Sequence, residues 1–247
     1  MTRLNLMLHC GAKRVDRFDV VNAQVPAATR TWFPVPHTAI LDRVENALGQ
    51  SGYEIIQQEH AMTKDHDRWF GLMQVARSDD PDKECCTVIG ARNSHDKTFP
   101  ATVVLGRGVF ICDNLSISGE ARLNRKHTRH ILRDLDGVVA RAIGSLSEIR
   151  AADKKRFEAY RTIGLGPVQA HDMVVRCMDA QVIPCAKIKP TLAEYRNPRH
   201  PEFAEDGYTT WRFFNAVTET IKGNLDLLPK RSLALHGLLD AHCGLLN

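Results

Sequence analysis

Three groups of residues in this chain have types and spacings that could do chemistry. The first, Arg92-Asn93-Ser94-His95-Asp96-Lys97, sets cations, an imidazole and a carboxylate within one short run. Asn93, Ser94 and Asp96 are also turn formers whose side chains bond to nearby backbone amides, so the run reads equally as a structured β-turn. As a polar cluster at a loop tip, Arg92, His95 and Lys97 would contact phosphate, or His95 and Asp96 would bind a metal. The second is Cys112-Asp113-Asn114. Asp113 with His95, Asp96 and Glu120 would make a carboxylate–imidazole set for a divalent cation. In the plainer reading Asp113-Asn114 is a tight turn and Cys112 packs inside. No paired histidine accompanies Cys112, so a thiolate nucleophile is not indicated.

The third group is basic: Arg122, Arg125, Lys126, Arg129 and Arg133, with His127 and His130 among them and no acid before Asp134. The stretch leads into a helix. Cations at a helix N-terminus oppose the macrodipole, so helix stability does not account for them. A phosphate-binding face does, and so does a solvated charged face. His127 and His130 could share a metal at their i, i+3 spacing, but no third ligand is nearby in sequence. Arg107, between Gly106 and Gly108, adds a cation at an expected hairpin tip. No phosphate-binding Gly-rich loop, dinucleotide fingerprint, His-Glu-x-x-His or Gly-x-Ser-x-Gly occurs. No catalytic residue can be assigned, and no cofactor is indicated.

The chain that must position these groups has 247 residues, 43% hydrophobic and 25% charged, which suffices for a packed core. Net charge is +4, a mildly basic balance in which distribution matters more than total. No apolar run approaches the roughly 18 residues of a membrane helix, and the first residues lack the pattern of a secretory leader. Seven scattered cysteines without a Cys-x-x-Cys pair read as free thiols in a reducing compartment. The expectation is a cytoplasmic protein with no membrane association.

Residues 1–36 read as irregular, and Thr38 is placed to cap a helix through Ile40, Leu41, Val44 and Leu48. Candidate strands follow at 53–60, 69–76, 87–91, 101–105, 109–112 and 115–118. Their connections are too short for crossover helices, so neighbours should be antiparallel, with a hairpin turn at Gly106-Arg107-Gly108. From Ile131 an apolar helical stripe runs to Ile149 and on toward Arg161. Pro167 suits the start of the next helix, 195–207 reads as loop, and helices are expected at about 210–222 and 231–242. Trp211, Phe213 and Phe214 read as core. The fold class is α+β: an N-terminal helix, a central antiparallel β-meander, and a C-terminal helical region packing on the sheet. A single domain over 1–247 is expected, with a possible division into a sheet-rich 1–128 and a helical 129–247.

Arg92-Asn-Ser-His-Asp-Lys97, Val109-Phe-Ile-Cys-Asp-Asn-Leu115, Ser118-Gly-Glu120 and Arg125-Lys-His-Thr128 resemble the phage/plasmid-like protein family, a domain of unknown function found in phages, plasmids and integrated elements. Pro34-Val-Pro-His37 and Trp211-Arg-Phe-Phe-Asn-Ala-Val-Thr-Glu219 are similar too. The resemblance implies a mobile-element origin and supplies no catalytic residues. The leading expectation is a nucleic-acid-binding accessory factor of a mobile element, serving replication, recombination or counter-defence, with Arg92, Lys97, Arg107, Arg122, Arg125, Lys126, Arg129 and Arg133 as contacts. The alternative is a metal-dependent nuclease or other hydrolase using His95, Asp96, Asp113 and Glu120.

Overall fold

The computed structural model describes residues 11–77, 85–109, 115–117, 123–205, 207–221 and 227–246. The chain packs as two units, residues 1–113 with 121–146, and residues 114–120 with 147–247.

In the first unit β1 (Lys13–Val15) leads to α1 (Arg17–Asn22) and α2 (His37–Gln50), and four strands follow: β2 (Glu54–Met62), β3 (Arg68–Ala76), β4 (Cys85–Ser94) and β5 (Ala101–Val109). β6 (Leu115–Ile117) falls in the second unit, and the first resumes with β7 (Leu123–Arg125) and α3 (Ile131–Gly144). Strands β1 to β5 pair in sequence order and β7 lies against β5, every pair antiparallel. The expected α+β class and antiparallel meander are therefore present.

α2 buries Ile40, Leu41, Val44 and Leu48, and α3 buries Ile131, Leu135, Val138, Val139 and Ala142. These stripes cover the sheet. Central β3 is buried from Trp69 to Val75, which requires cover on both faces. Trp69 itself is fully buried. A Cβ on Gly71 would stand 2.5 Å from Trp69 Cζ2, so the indole lies over a position that only glycine leaves open.

Several expectations change. The expected Gly106–Gly108 hairpin does not form. β5 runs straight through it, with Gly106 opposite Val88, Arg107 opposite Thr87 and Gly108 opposite Cys86. Glycine accepts extended as readily as left-handed backbone, and a turn there would leave the first half of β4 without a partner on its β5 side. Arg92, Asn93 and Ser94 likewise belong to β4, paired with Phe70, Trp69 and Arg68, and only residues after Ser94 form the turn. The N-terminal region is not wholly irregular. Asp16 caps α1, accepting from Asp19 N–H at 3.0 Å while the Asp19 carboxylate accepts from Asp16 N–H, and Arg17 ties α1 to Glu45 and Asp42 of α2. α2 begins at His37, directly after Pro36, rather than at Thr38. β7 has no counterpart among the expected strands. The stripe from Ile131 does not make one helix. α3 ends at Ser145, whose hydroxyl donates to Ala142 O at 2.8 Å.

The second unit holds β6 and helices α4 (Leu146–Thr162), α5 (Pro167–Asp179), α6 (Ile188–Arg196), α7 (Glu202–Glu205), α8 (Thr210–Ile221) and α9 (Leu228–His242). Pro167 opens α5 as expected. Trp211, Phe213 and Phe214 are core: Phe157 meets Trp211 at 5.1 Å and Phe214 at 5.5 Å between ring centroids. The stretch 195–207 is not all loop. α6 extends to Arg196 and α7 follows. The cause is buried Arg212, which donates 2.7 Å hydrogen bonds to the carbonyls of Tyr195 and Arg196 and so satisfies the end of α6. Among the described residues no helix is long and apolar enough to cross a membrane.

Gly71→Ala is expected to lower unfolding free energy by about 1–3 kcal/mol, the usual cost of overpacking a filled core. Gly49→Ala, with open space around it, should be neutral or slightly stabilising. Urea unfolding of both variants checks this, and equal destabilisation would contradict the proposed fit over Trp69.

Candidate nucleic-acid interface above a buried histidine cluster

Extension of β4 through Ser94 decides where Asn93 points. Asn93 is fully buried, and its amide joins three chain segments. Nδ2 donates to Val35 O at 2.9 Å and to His37 Nδ1 at 3.0 Å. Oδ1 accepts from His127 Nε2 at 2.7 Å. His37 Nε2 in turn donates to His66 O at 2.9 Å, and His95 Nε2 donates to Val35 O at 2.9 Å. Carbonyls can only accept, so these bonds place a hydrogen on Nε2 of both His37 and His95.

The imidazoles of His37 and His95 stack in parallel, 4.0 Å between centroids. Two charged rings could not sit so close in a buried place. Burial, then the neighbouring His95, push His37 down to about 3, and the same causes lower His127 to about 4. Both are neutral near pH 7. Val35 can serve two donors because Pro34 and Pro36 flank it. Proline disfavours helix in the preceding residue, so Val35 stays extended with its carbonyl available.

Each site residue expected from sequence finds a definite place or lies outside the described part. His95 is 3% exposed and turned inward, where a ligand phosphate would not reach it. Its Nδ1 is buried with no hydrogen-bond partner among the described residues. Asp96 pairs with Arg68 at 2.5 Å and accepts from Thr98 N–H at 3.0 Å. Burial works against this carboxylate, but the hydrogen bonds from Thr98 and Arg68 outweigh it and hold its pKa below the usual range. Asp113, Glu120 and Arg122, like Cys112 and Asn114, lie outside the described residues, as does the Arg107 side chain. Among the described residues no group of three His, Cys, Asp or Glu is arranged to hold a metal ion.

The basic residues divide into two sets. Arg92 lies over the Phe99 ring at 4.5 Å and donates to Thr102. Arg125 and Arg133 both bind the Asp134 carboxylate, so the one acid closing the basic stretch neutralises part of it. Lys97, Lys126 and Arg129 are exposed. Lys97 sits in the turn after β4 in the left-handed region, φ 66°, and its ammonium lies 5.0 Å over the Trp32 ring. Trp32 is also 6.2 Å from the His127 ring. Three segments far apart in sequence therefore meet at Trp32, Lys97 and His127, and exposed Lys126 and Arg129 stand on the last of them.

A family model described as "Domain of unknown function (DUF932)" matches residues 27–226. The chain belongs to the DUF932 family. No curated protein and no solved structure matches it. The DUF932 span contains every segment that meets at Asn93: Pro34-Val35-Pro36-His37, His66, Arg92 to Lys97 and His127. Sequence reasoning missed Trp32 and the joint role of His37, Asn93 and His127. The one visible signal was Pro-Val-Pro-His, a rigid extended run that delivers an imidazole to the start of a helix.

The second unit has a separate buried network. Arg156 binds Asp153 at 2.8 Å and Asp240 at 2.9 Å, and Tyr160 donates to Asp240 at 2.7 Å. Burial, with Arg156 beside it, pushes His236 down to about 3. Burial and the Asp240 charge push Tyr160 far up.

Asn93→Ala should cost about 2–4 kcal/mol, because it strands His127 Nε2, His37 Nδ1 and part of the Val35 carbonyl in a buried place. Stability should also fall with acid. An unfolded histidine titrates near 6.5, while folded His37 resists protonation until about 3. Below pH 6.5 the unfolded state therefore binds more protons, and stability present above 6.5 is lost as pH falls toward the folded value. For His37 alone the loss between pH 6.5 and 5 is roughly 2 kcal/mol. Urea unfolding across that range checks it. His37→Gln should flatten the slope, and an unchanged slope would refute the assignment.

Proposed function

We propose that the first unit binds nucleic acid, as an accessory factor of a mobile element acting in replication, recombination or counter-defence. The observation that carries the reading is that Lys97 lies over Trp32 while His127, flanked in the chain by exposed Lys126 and Arg129, faces the same indole, with the 93–97 and 126–129 segments pinned to one buried cluster. Cations scattered at random on a soluble surface tend to be interspersed with acids. Here the acids nearest in sequence, Asp96 and Asp134, are occupied by Arg68, Arg125 and Arg133. The exposed charges are left for phosphate, and phosphate contacts supply most nonspecific affinity for nucleic acid. The mobile-element setting is supported by the sequence resemblance.

The reading requires salt-sensitive binding to DNA or RNA. A Lys97→Ala, Lys126→Ala, Arg129→Ala triple variant should bind more weakly. The slope of log affinity against log salt should shrink by about 0.7–0.9 for each phosphate that is no longer neutralised. Because these side chains are exposed, unfolding free energy should change by no more than about 0.5 kcal/mol per site. Fluorescence anisotropy with labelled oligonucleotides at several salt concentrations measures this. Absence of binding to every nucleic acid at low salt would end the proposal.

A further inference from the structure

We infer that the nucleic acid bound at this face is single-stranded, with one unpaired base stacking on the Trp32 indole in place of the Lys97 ammonium. The inference rests on the charge-based reading above and goes beyond it by naming strandedness and the stacking residue.

Trp32 is half-buried, and the buried part is its polar edge. Nε1 is shielded and has no partner among the described residues, so the exposed part of the ring is carbon surface. A flat carbon surface next to cations suits a base, whose π-face stacks whatever its identity. The backbone that carries the ring is held in place before any ligand arrives. Thr29 N–H donates to Trp32 O at 2.8 Å, Trp32 N–H donates to Thr29 Oγ1 at 3.2 Å, and Phe33 N–H donates to His127 O at 2.9 Å. That backbone therefore needs little further ordering on binding.

Lys97 marks the position the base would take. Its ammonium stands 5.0 Å from the ring centroid on an exposed, flexible stem. A base arriving there displaces the ammonium toward its own phosphate, so one cation–π contact is exchanged for a stack and a charge contact. Lys126 and Arg129 stand on the segment whose His127 faces the same indole, and they can take flanking phosphates. Bases inside a duplex are stacked on one another and offer no free face, so Trp32 discriminates in favour of an unpaired strand.

Other rings fit less well. Trp69, Trp211, Phe213 and Phe214 are buried. Phe18 is exposed, but it lies on α1 beside Asp19 and near the Arg17, Glu45 and Asp42 pairs, surroundings that repel phosphate.

The test compares a labelled oligothymidylate with a duplex of equal length, by anisotropy at fixed low salt. The wild type should prefer the single strand. Trp32→Ala should weaken single-strand binding about tenfold and leave duplex binding unchanged, and Trp32→Phe should restore most of the affinity. Unlabelled oligothymidylate should quench tryptophan fluorescence in the wild type and not in Trp32→Phe, which keeps binding. Circular dichroism melts of both variants separate loss of binding from loss of fold. Equal single-strand affinity of wild type and Trp32→Ala, or a preference for duplex, would overturn the stacking inference while leaving the charge-based reading intact. A wild type that binds neither ligand at low salt overturns both.

Discussion

Asn93 has one carbonyl oxygen and one amide nitrogen with two hydrogens, and other parts of the chain take both hydrogens and engage the oxygen: Val35, His37 and His127. The residue is fully buried, so none of these bonds can be traded for water. A buried amide without partners costs far more than a surface one, and that cost forces three distant segments into one arrangement. The start of α2, the extended run before it and the entry to α3 are fixed by this constraint. So is the last pair of β4 residues, since Asn93 reaches its partners only if the strand continues past Arg92.

The cluster and the cations above it divide the work by burial. The neutral imidazoles of His37 and His127 suit a place without water. His37 is satisfied at both nitrogens, by His66 O and by Asn93, without bringing a charge inside, which lysine or arginine could not do there. The exposed charges of Lys97, Lys126 and Arg129 sit on the loops that these imidazoles hold. A surface built so can be rigid and charged at once, since the ordering is done beneath it. The second unit follows the same logic with other residues. There Arg156 balances buried carboxylates, Tyr160 bridges to one of them, and Arg212 closes the end of α6.

Much of the scaffold was legible because short-range physics sets it. The apolar stripes of α2, α3 and α8 read as helices, and the β-branched runs of β2 to β4 read as strands in antiparallel order. Glycine and polar turn formers are harder to read. Gly106 and Gly108 are compatible with a turn or with an extended strand, and the ladder to β4 chose the strand. Arg92, Asn93 and Ser94 have the composition of a turn, yet pairing with β3 keeps them extended. The end of α6 depended on an arginine from α8 that no local pattern reveals.

The candidate site shows the same limit more sharply. Sequence alone determined which segments carry polar and basic residues and that they border one meander, because composition and periodicity are local properties. It could not tell that His95 turns inward onto Val35 O or that Asn93 joins His37 to His127. Those outcomes depend on which donors and acceptors, dozens of residues apart, are brought within hydrogen-bonding distance. Burial makes each such pairing obligatory, and only the tertiary structure decides which pairs form.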